Sequence, residues 1–270
     1  MTTAPDTPVS GSPLCLKLNS YIALSDGERA FLSGLDSSTT RLPARADIVR
    51  QGERYGEARV VRDGWAIRHK TLPDGRRQVV NFVLPGDIVG IYCNLFETAD
   101  HSVTALTPVE LTSFPAGKVV DMFRTFPRLA AALAWSGARE EAMIAERLLS
   151  LGRRTALERM AHLIVELLRR LSIVNLAQGG HFTLPVTQEI LADALGLSNV
   201  HINRTLRRLR ESGLIDLNGQ RITVKDVSQL AAVGQFDELY LHFIQAPKRL
   251  ERAFSRPGRG EPMQAKGMRP

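Results

Sequence analysis

The hydrophobic positions of this chain change their period twice. Residues 1–18, rich in Thr, Pro and Ser, hold no sustained period and read as a flexible lead. Residues 24–36 predict a short helix, with Ser25 as N-cap and Ala30, Phe31 and Leu35 on one face. From Thr39 to about Ala116 the apolar runs become short: 59–61, 65–69, 77–83, 88–91, 102–105 and 109–114, punctuated by Gly52, Gly56, Gly64, Gly75, Gly86 and Gly90. Many short strands at near-regular spacing predict a sandwich, barrel or jelly roll. Pro73-Asp74-Gly75 predicts a hairpin turn, because proline presets φ and Asp-Gly accepts a positive φ.

Helical period returns near Val119 and dominates to about Leu171. Phe126-Pro127 interrupts it, and Pro127 suits the first turn of a new helix over 128–151. The stripe Leu129, Leu133, Gly137, Ile144, Leu148 and Leu151 has two uses open to it: a partner helix, or its own β domain. Gly152-Arg153-Arg154 reads as a hinge. Thr155 with Glu158 forms a capping box for a second helix, whose apolar side is Met160, Leu163, Ile164, Leu167, Leu168 and Leu171. A loop at 177–180 and a short extended piece at 181–185 follow.

The informative stretch is 184–224. Thr187 caps a helix that begins at Gln188 and ends at Leu195, and Gly196 suits a positive-φ stop. Ser198 caps the next helix, 199 to about 212, whose buried stripe is Ile202, Leu206 and Leu209. Two helices joined by a short turn containing Gly make a helix-turn-helix. The second helix exposes Asn199, His201 and Asn203 at its start, where base edges are read, with Arg204 one turn on. Arg207, Arg208 and Arg210 add charge for phosphates. Asn218-Gly219, a favoured two-residue hairpin turn, lies between two short runs and predicts a wing.

Composition bounds these readings. The chain has 270 residues, enough for about two domains, and its 44% hydrophobic and 23% charged content is globular. The net charge is +7, but the seven basic and two acidic residues of 247–270 supply +5 of it, so the excess alone does not identify a polyanion partner. No apolar run approaches the ~18 residues of a membrane span, and no membrane partner is expected. No signal-peptide pattern is seen at the N-terminus, and two cysteines, Cys15 and Cys93, suit a reduced, cytoplasmic chain. Nucleophile-elbow, Walker-loop and HExxH patterns and paired-cysteine metal spacing are lacking, so no enzyme and no metal site are expected. Glu189 and Asp193 read as solvated charges rather than catalysts.

The strings VTQEILADALGLSNVHINRTLRRLRESGLI at 186–215, LPGDIVG at 84–90 and RRTALERMAHLIVELL at 153–168 resemble the Crp/Fnr family of bacterial transcription regulators. The resemblance spans roughly 20–230. It implies an α+β protein: an N-terminal jelly-roll-like β-roll of the cyclic-nucleotide-binding kind, a long dimerisation helix and a C-terminal winged helix-turn-helix. The chain then divides into a flexible segment (1–18), a sensor domain (19–125), dimerisation helix and hinge (126–152), DNA-binding domain (153–246) and a disordered basic tail (247–270). The implied dimer would meet through the stripe from Leu129 to Leu151. Its partners would be a palindromic DNA site, with half-sites ~34 Å apart, and RNA polymerase. The residues expected on DNA are Thr187, Gln188, Ser198, Asn199, Val200, His201, Asn203, Arg204, Arg207 and Arg208. Val200 stands where the family often has Glu, and Asn199 where its cAMP-dependent members have Arg, so a different half-site is expected.

The sensor departs from the family's cyclic-nucleotide pattern. The effector pocket would involve Gly90, Ile91, His101 and Ser102. Ile91 stands at the ribose-binding Glu, and His101-Ser102 at the phosphate-binding Arg-Ser pair; neither isoleucine nor neutral histidine replaces those groups, so cAMP dependence is not expected. Two cysteines cannot build the four-thiolate iron–sulfur cluster of Fnr-type sensors. No cofactor is expected; a haem held through His69 or His101, with Tyr92 nearby, and a thiol switch at Cys15 or Cys93 are the alternatives, as is an architectural DNA-binding protein with a degenerate sensor.

Overall fold

The computed structural model describes residues 11–35, 39–54, 56–90, 96–243 and 245–255. Helices α1 (Pro13–Tyr21) and α2 (Asp26–Leu35) come first. The expected flexible lead is therefore corrected over 13–18. Ser12 caps α1, Pro13 starts it, and Leu14, Cys15 and Leu18 turn inward. Its one buried charge, Lys17, is matched by Asp87 at 2.7 Å. The interruption by Lys17 is what hides the helix in the sequence. Ser25 and Glu28 cap α2 reciprocally, the Ser25 amide donating to Glu28 at 2.7 Å.

Among the described residues eight strands form the roll as two antiparallel four-stranded sheets. One runs β1 (Thr39–Leu42), β8 (Val109–Pro115), β3 (Glu57–Asp63), β6 (Ile88–Val89). The other runs β2 (Asp47–Val49), β7 (Ser102–Ala105), β4 (Ala66–Thr71), β5 (Arg77–Val83). Ile48, Val61, Ala66, Val83, Val103 and Leu111 fill the space between them. The turn at 73–75 joins β4 to β5, with Gly75 at φ +87°.

Helix α3 (Ala116–Thr125) stops at Phe126, and α4 (Pro127–Arg153) starts at once with proline in its first turn. The expected dimer stripe divides. Leu129 and Leu133 are buried against α1, α2 and α3 and belong to the chain's own core, and Gly137 is buried as well. Ile144 and Leu148 are 38% and 72% exposed, while Leu151 is half-buried beside Gly196. The expected hinge also moves: α4 runs through Gly152 and Arg153, and the break comes at Arg154.

Helix α5 (Ala156–Ile173) has the predicted capping box; the Thr155 amide donates to Glu158 Oε2 at 2.7 Å. Its apolar face joins two units in one core. Met160, Leu163, Ile164, Leu167 and Leu171 pack with the helix-turn-helix and with Trp65, Ile67, Phe82 and Leu84 of the roll. Beyond it lie β9 (His181–Thr183), α6 (Gln188–Leu195), α7 (Asn199–Glu211), β10 (Ile215–Asn218), β11 (Arg221–Val224) and α8 (Val227–Val233). A 3-10 turn (Glu238–Leu241) then leads to α9 (Lys248–Ser255). The expectation of a disordered tail is corrected over 248–255. Leu250 and Phe254, one helical turn apart, pack against the α1–α4 core, and the Ala246 amide donates to Tyr21 O at 2.7 Å. Residues 256–270 lie outside the described residues.

Candidate nucleic-acid interface

Three local devices set the helix-turn-helix. Thr187 Oγ1 accepts from the Ile190 amide at 3.2 Å and starts α6. Gly196 ends it at φ +61°, a conformation that costs other residues ~1–2 kcal/mol. Ser198 Oγ accepts from the His201 amide and starts α7. Ile202, Thr205, Leu206 and Leu209 face inward, so the 3.6-residue period turns Asn199, Val200, His201, Asn203, Arg204, Arg207, Arg208 and Arg210 outward.

The exposed side chains are not equally free. Asn203 Nδ2 donates to Gln188 Oε1 at 2.7 Å, tying α7 to the start of α6, so these two predicted contacts form one polar unit. Ser198 Oγ lies 2.9 Å from His201 Nδ1, which fixes the ring over the helix start. Arg207 is bonded to Glu211 at 2.7 Å, so it presents a neutralised pair where free positive charge was expected. Glu211 stands four residues after Arg207, the helical spacing at which such a pair meets. Arg204 and Arg208 have no acidic partner among the described residues. Arg204 lines both grooves beside α7: one with Val200, Asn203 and Arg207, the other with Thr155, His201 and Arg208.

The wing is a three-stranded antiparallel sheet, β10-β11-β9. Asn218 pairs with Arg221, so the two-residue turn is Gly219-Gln220 rather than Asn218-Gly219. Gly219 at φ +58° leads it, as a hairpin with glycine at the first central position requires. Asp193 is not a solvated charge: Arg77 of β5 reaches it at 2.7 Å and Glu189 at 3.8 Å, clamping α6 to the roll.

In the sensor, Gly90 sits at φ +74°, while Ile91, Tyr92 and Cys93 lie outside the described residues. His101 Nδ1 is 2.7 Å from Asp100, and burial with the nearby Arg68 charge lowers its pKa. Ser102 Oγ accepts from the Gln51 amide at 3.0 Å. His69 places one ring nitrogen 2.9 Å from Thr104 Oγ1 and the other 3.4 Å from Thr71 Oγ1. Cys15 is a buried free thiol in α1. Among the described residues no three His, Cys, Asp or Glu side chains converge to hold a metal ion, and no helix is long and apolar enough to cross a membrane.

The comparisons agree with this geometry. Residues 39–126 match the cyclic nucleotide-binding domain family and residues 158–233 the Crp-like helix-turn-helix domain. The transcriptional activator protein FnrL of Cereibacter sphaeroides is 32% identical over 187 residues, 68% of this chain and 75% of that protein. The nitrogen fixation regulation protein FixK of Azorhizobium caulinodans is 31% identical over 195 residues, 68% of this chain and 77% of its own length. Among solved structures, FixK2 of Bradyrhizobium japonicum superposes with a TM-score of 0.66 at 25% identity, covering 73% of this chain and 96% of that one. With a cyclic-nucleotide-binding-like roll, a Crp-like helix-turn-helix and relatives of this likeness, the chain belongs to the Crp/Fnr family of transcription regulators.

Proposed function

We propose that this protein is a homodimeric, sequence-specific DNA-binding regulator that acts in the cytoplasm without enzymatic activity and without cAMP. The carrying observation is the start of α7: a capped helix end exposing Asn199, Val200, His201 and Arg204, with Arg204 unpaired among the described residues. Amide groups suit adenine and a guanidinium suits guanine, while Val200 can meet a thymine methyl. Thr187, Gln188 and Ser198, at the two capped helix starts, and Arg208 on the next turn meet the phosphates on either side.

Ile144 and Leu148, exposed on the second half of α4, supply the apolar seam for the second copy. Twofold symmetry then sets two α7 helices about one DNA turn apart, and RNA polymerase is the further partner. In the sensor, His101 and Ser102 are held by Asp100 and the Gln51 amide, and His101 brings no fixed positive charge for a cyclic phosphate. The histidines at 69 and 101 are likewise engaged with neighbours, which favours a regulator with no resident cofactor.

Selection from a random double-stranded DNA pool, with and without cAMP, tests the reading. A palindrome enriched equally in both samples supports it. Enrichment only with cAMP overturns the sensor reading, and the absence of any motif with steep salt dependence overturns sequence specificity.

A further inference from the structure

Where α1, the β5–β6 turn, α4 and α5 meet, a cluster of four buried cations lies against two buried carboxylates among the described residues. The cations are Lys17, Arg139, Arg147 and Arg170; the carboxylates are Asp87 and Glu166. Asp87 is shared by Lys17 at 2.7 Å and Arg170 at 2.9 Å. Glu166 is shared by Arg147 and Arg170, each at 3.3 Å. Neighbouring Glu140 and Glu146 are matched by Arg68 and Arg154. Arg139 is left over. It is 3% exposed and has no hydrogen bond or ion pair among the described residues. Its guanidinium rests on the rings of Trp135 and Phe243, at 5.6 and 4.7 Å, and its Nε is buried without an acceptor. Trp135 Nε1, one turn earlier on α4, is a second buried donor without one.

Ring faces attract a cation but accept no conventional N–H bond in place of the lost water. Burial and the Arg170 charge bring the Arg139 pKa down to about 10, which leaves it charged at neutral pH. A cavity lies against this group, lined by Lys17, Leu84, Pro85, Asp87, Arg139 and Arg170 among others. About 10 Å³ is open to the centre of an occupant, so a single small particle can sit there. Asp87 also lines it, but Lys17 and Arg170 already match that charge, so the field left over is positive.

We propose that this cavity binds one compact monatomic anion of chloride size, held by Arg139 with Lys17 and Arg170. Since the walls come from the sensor (α1 and the β5–β6 turn) and from α5 of the DNA-binding unit, the anion stabilises the arrangement in which the two are docked.

The test is urea unfolding of the full chain at constant ionic strength, with chloride replaced stepwise by gluconate. The folded-to-unfolded ratio should rise about tenfold at a chloride concentration ten times the dissociation constant. Arg139→Gln should abolish that dependence, and Arg76→Gln, on the exposed β4–β5 turn, should keep it. Equal stability in both media would leave water as the occupant and overturn the proposal, as would unchanged chloride dependence in Arg139→Gln. Should Arg139→Gln fail to fold, the chloride-35 NMR linewidth of the wild-type protein decides. Excess broadening removed by bromide supports the site, and its absence overturns it.

Discussion

Arg170 Nη2 lies 2.9 Å from Asp87 Oδ2, joining the first helix of the DNA-binding unit to the β5–β6 turn of the sensor inside the protein. The same guanidinium donates to Phe82 O at 2.7 Å and to Asn81 Oδ1 at 3.0 Å. One side chain of α5 thus engages the backbone and side chains at the end of β5. Arg77 adds a second tie from β5 to α6.

Removing Asp87 should be costly, because Lys17 and Arg170 would both stay buried without it. Asp87→Ala is expected to lose ~3–5 kcal/mol in urea unfolding. Burial by itself would raise the Asp87 pKa; Lys17 and Arg170 outweigh it and hold the carboxyl well below the usual carboxylate range. The stabilisation is therefore complete above the unfolded pKa near 3.9 and is lost as pH falls below it. Asp87→Asn should flatten that acid limb.

A second pH effect has the opposite origin. Burial lowers the His162 pKa despite nearby Glu166, and the ring sits between Gly234 O at 3.2 Å and Tyr240 Oη at 3.0 Å. A folded pKa below the unfolded value of about 6.5 means that the unfolded chain takes up the proton first. Stability should fall as pH drops below 6.5. His69 and His101 act in the same direction, so His162→Gln should reduce the slope rather than remove it.

Gly196→Ala forces a side chain into the left-handed region and brings its Cβ to 3.1 Å from Leu151 Cδ2. A loss of ~1–2 kcal/mol is expected. Weaker specific DNA binding should accompany it, because the turn sets α7 against α6; urea unfolding reads the stability loss and fluorescence anisotropy with the selected site reads the binding.

On DNA, Arg204 and Arg208 should separate. Arg204→Ala should cost ~1–3 kcal/mol on the preferred site and relax specificity at one base pair. Arg208→Ala should weaken all sequences alike and reduce the salt slope by about one. Competition anisotropy at several salt concentrations distinguishes the two.

The two halves of α4 should also separate. If the proposed dimer forms through this seam, Leu148→Glu should give a monomer in sedimentation velocity while leaving the fold intact, since this side chain is 72% exposed within the chain. Leu133→Ala should instead cost ~2–5 kcal/mol of stability through the cavity it leaves.

The sequence by itself determined what is local. Caps at Thr155, Thr187 and Ser198, the stops at Gly75 and Gly196, and the strand and helix periods were all legible, because each depends on residues within a turn or two of one another. The exposed face of α7 followed from the period alone. Tertiary structure decided what those faces meet. A stripe such as Leu129 to Leu151 is equally apolar whether it meets its own domain or a second copy, and only packing against α1–α3 divided it at Gly137. Short helices such as α1 and α9 carry too few residues to show a period; contact with the core, at Leu18 and Phe254, is what makes them form. His162, Glu166 and Arg170 did leave a trace, a polar row spaced by four among the buried positions of α5. That spacing places them on one face, but their partners Tyr240, Asp87 and Asn81 are 74 or more residues away, and no local rule reaches that far.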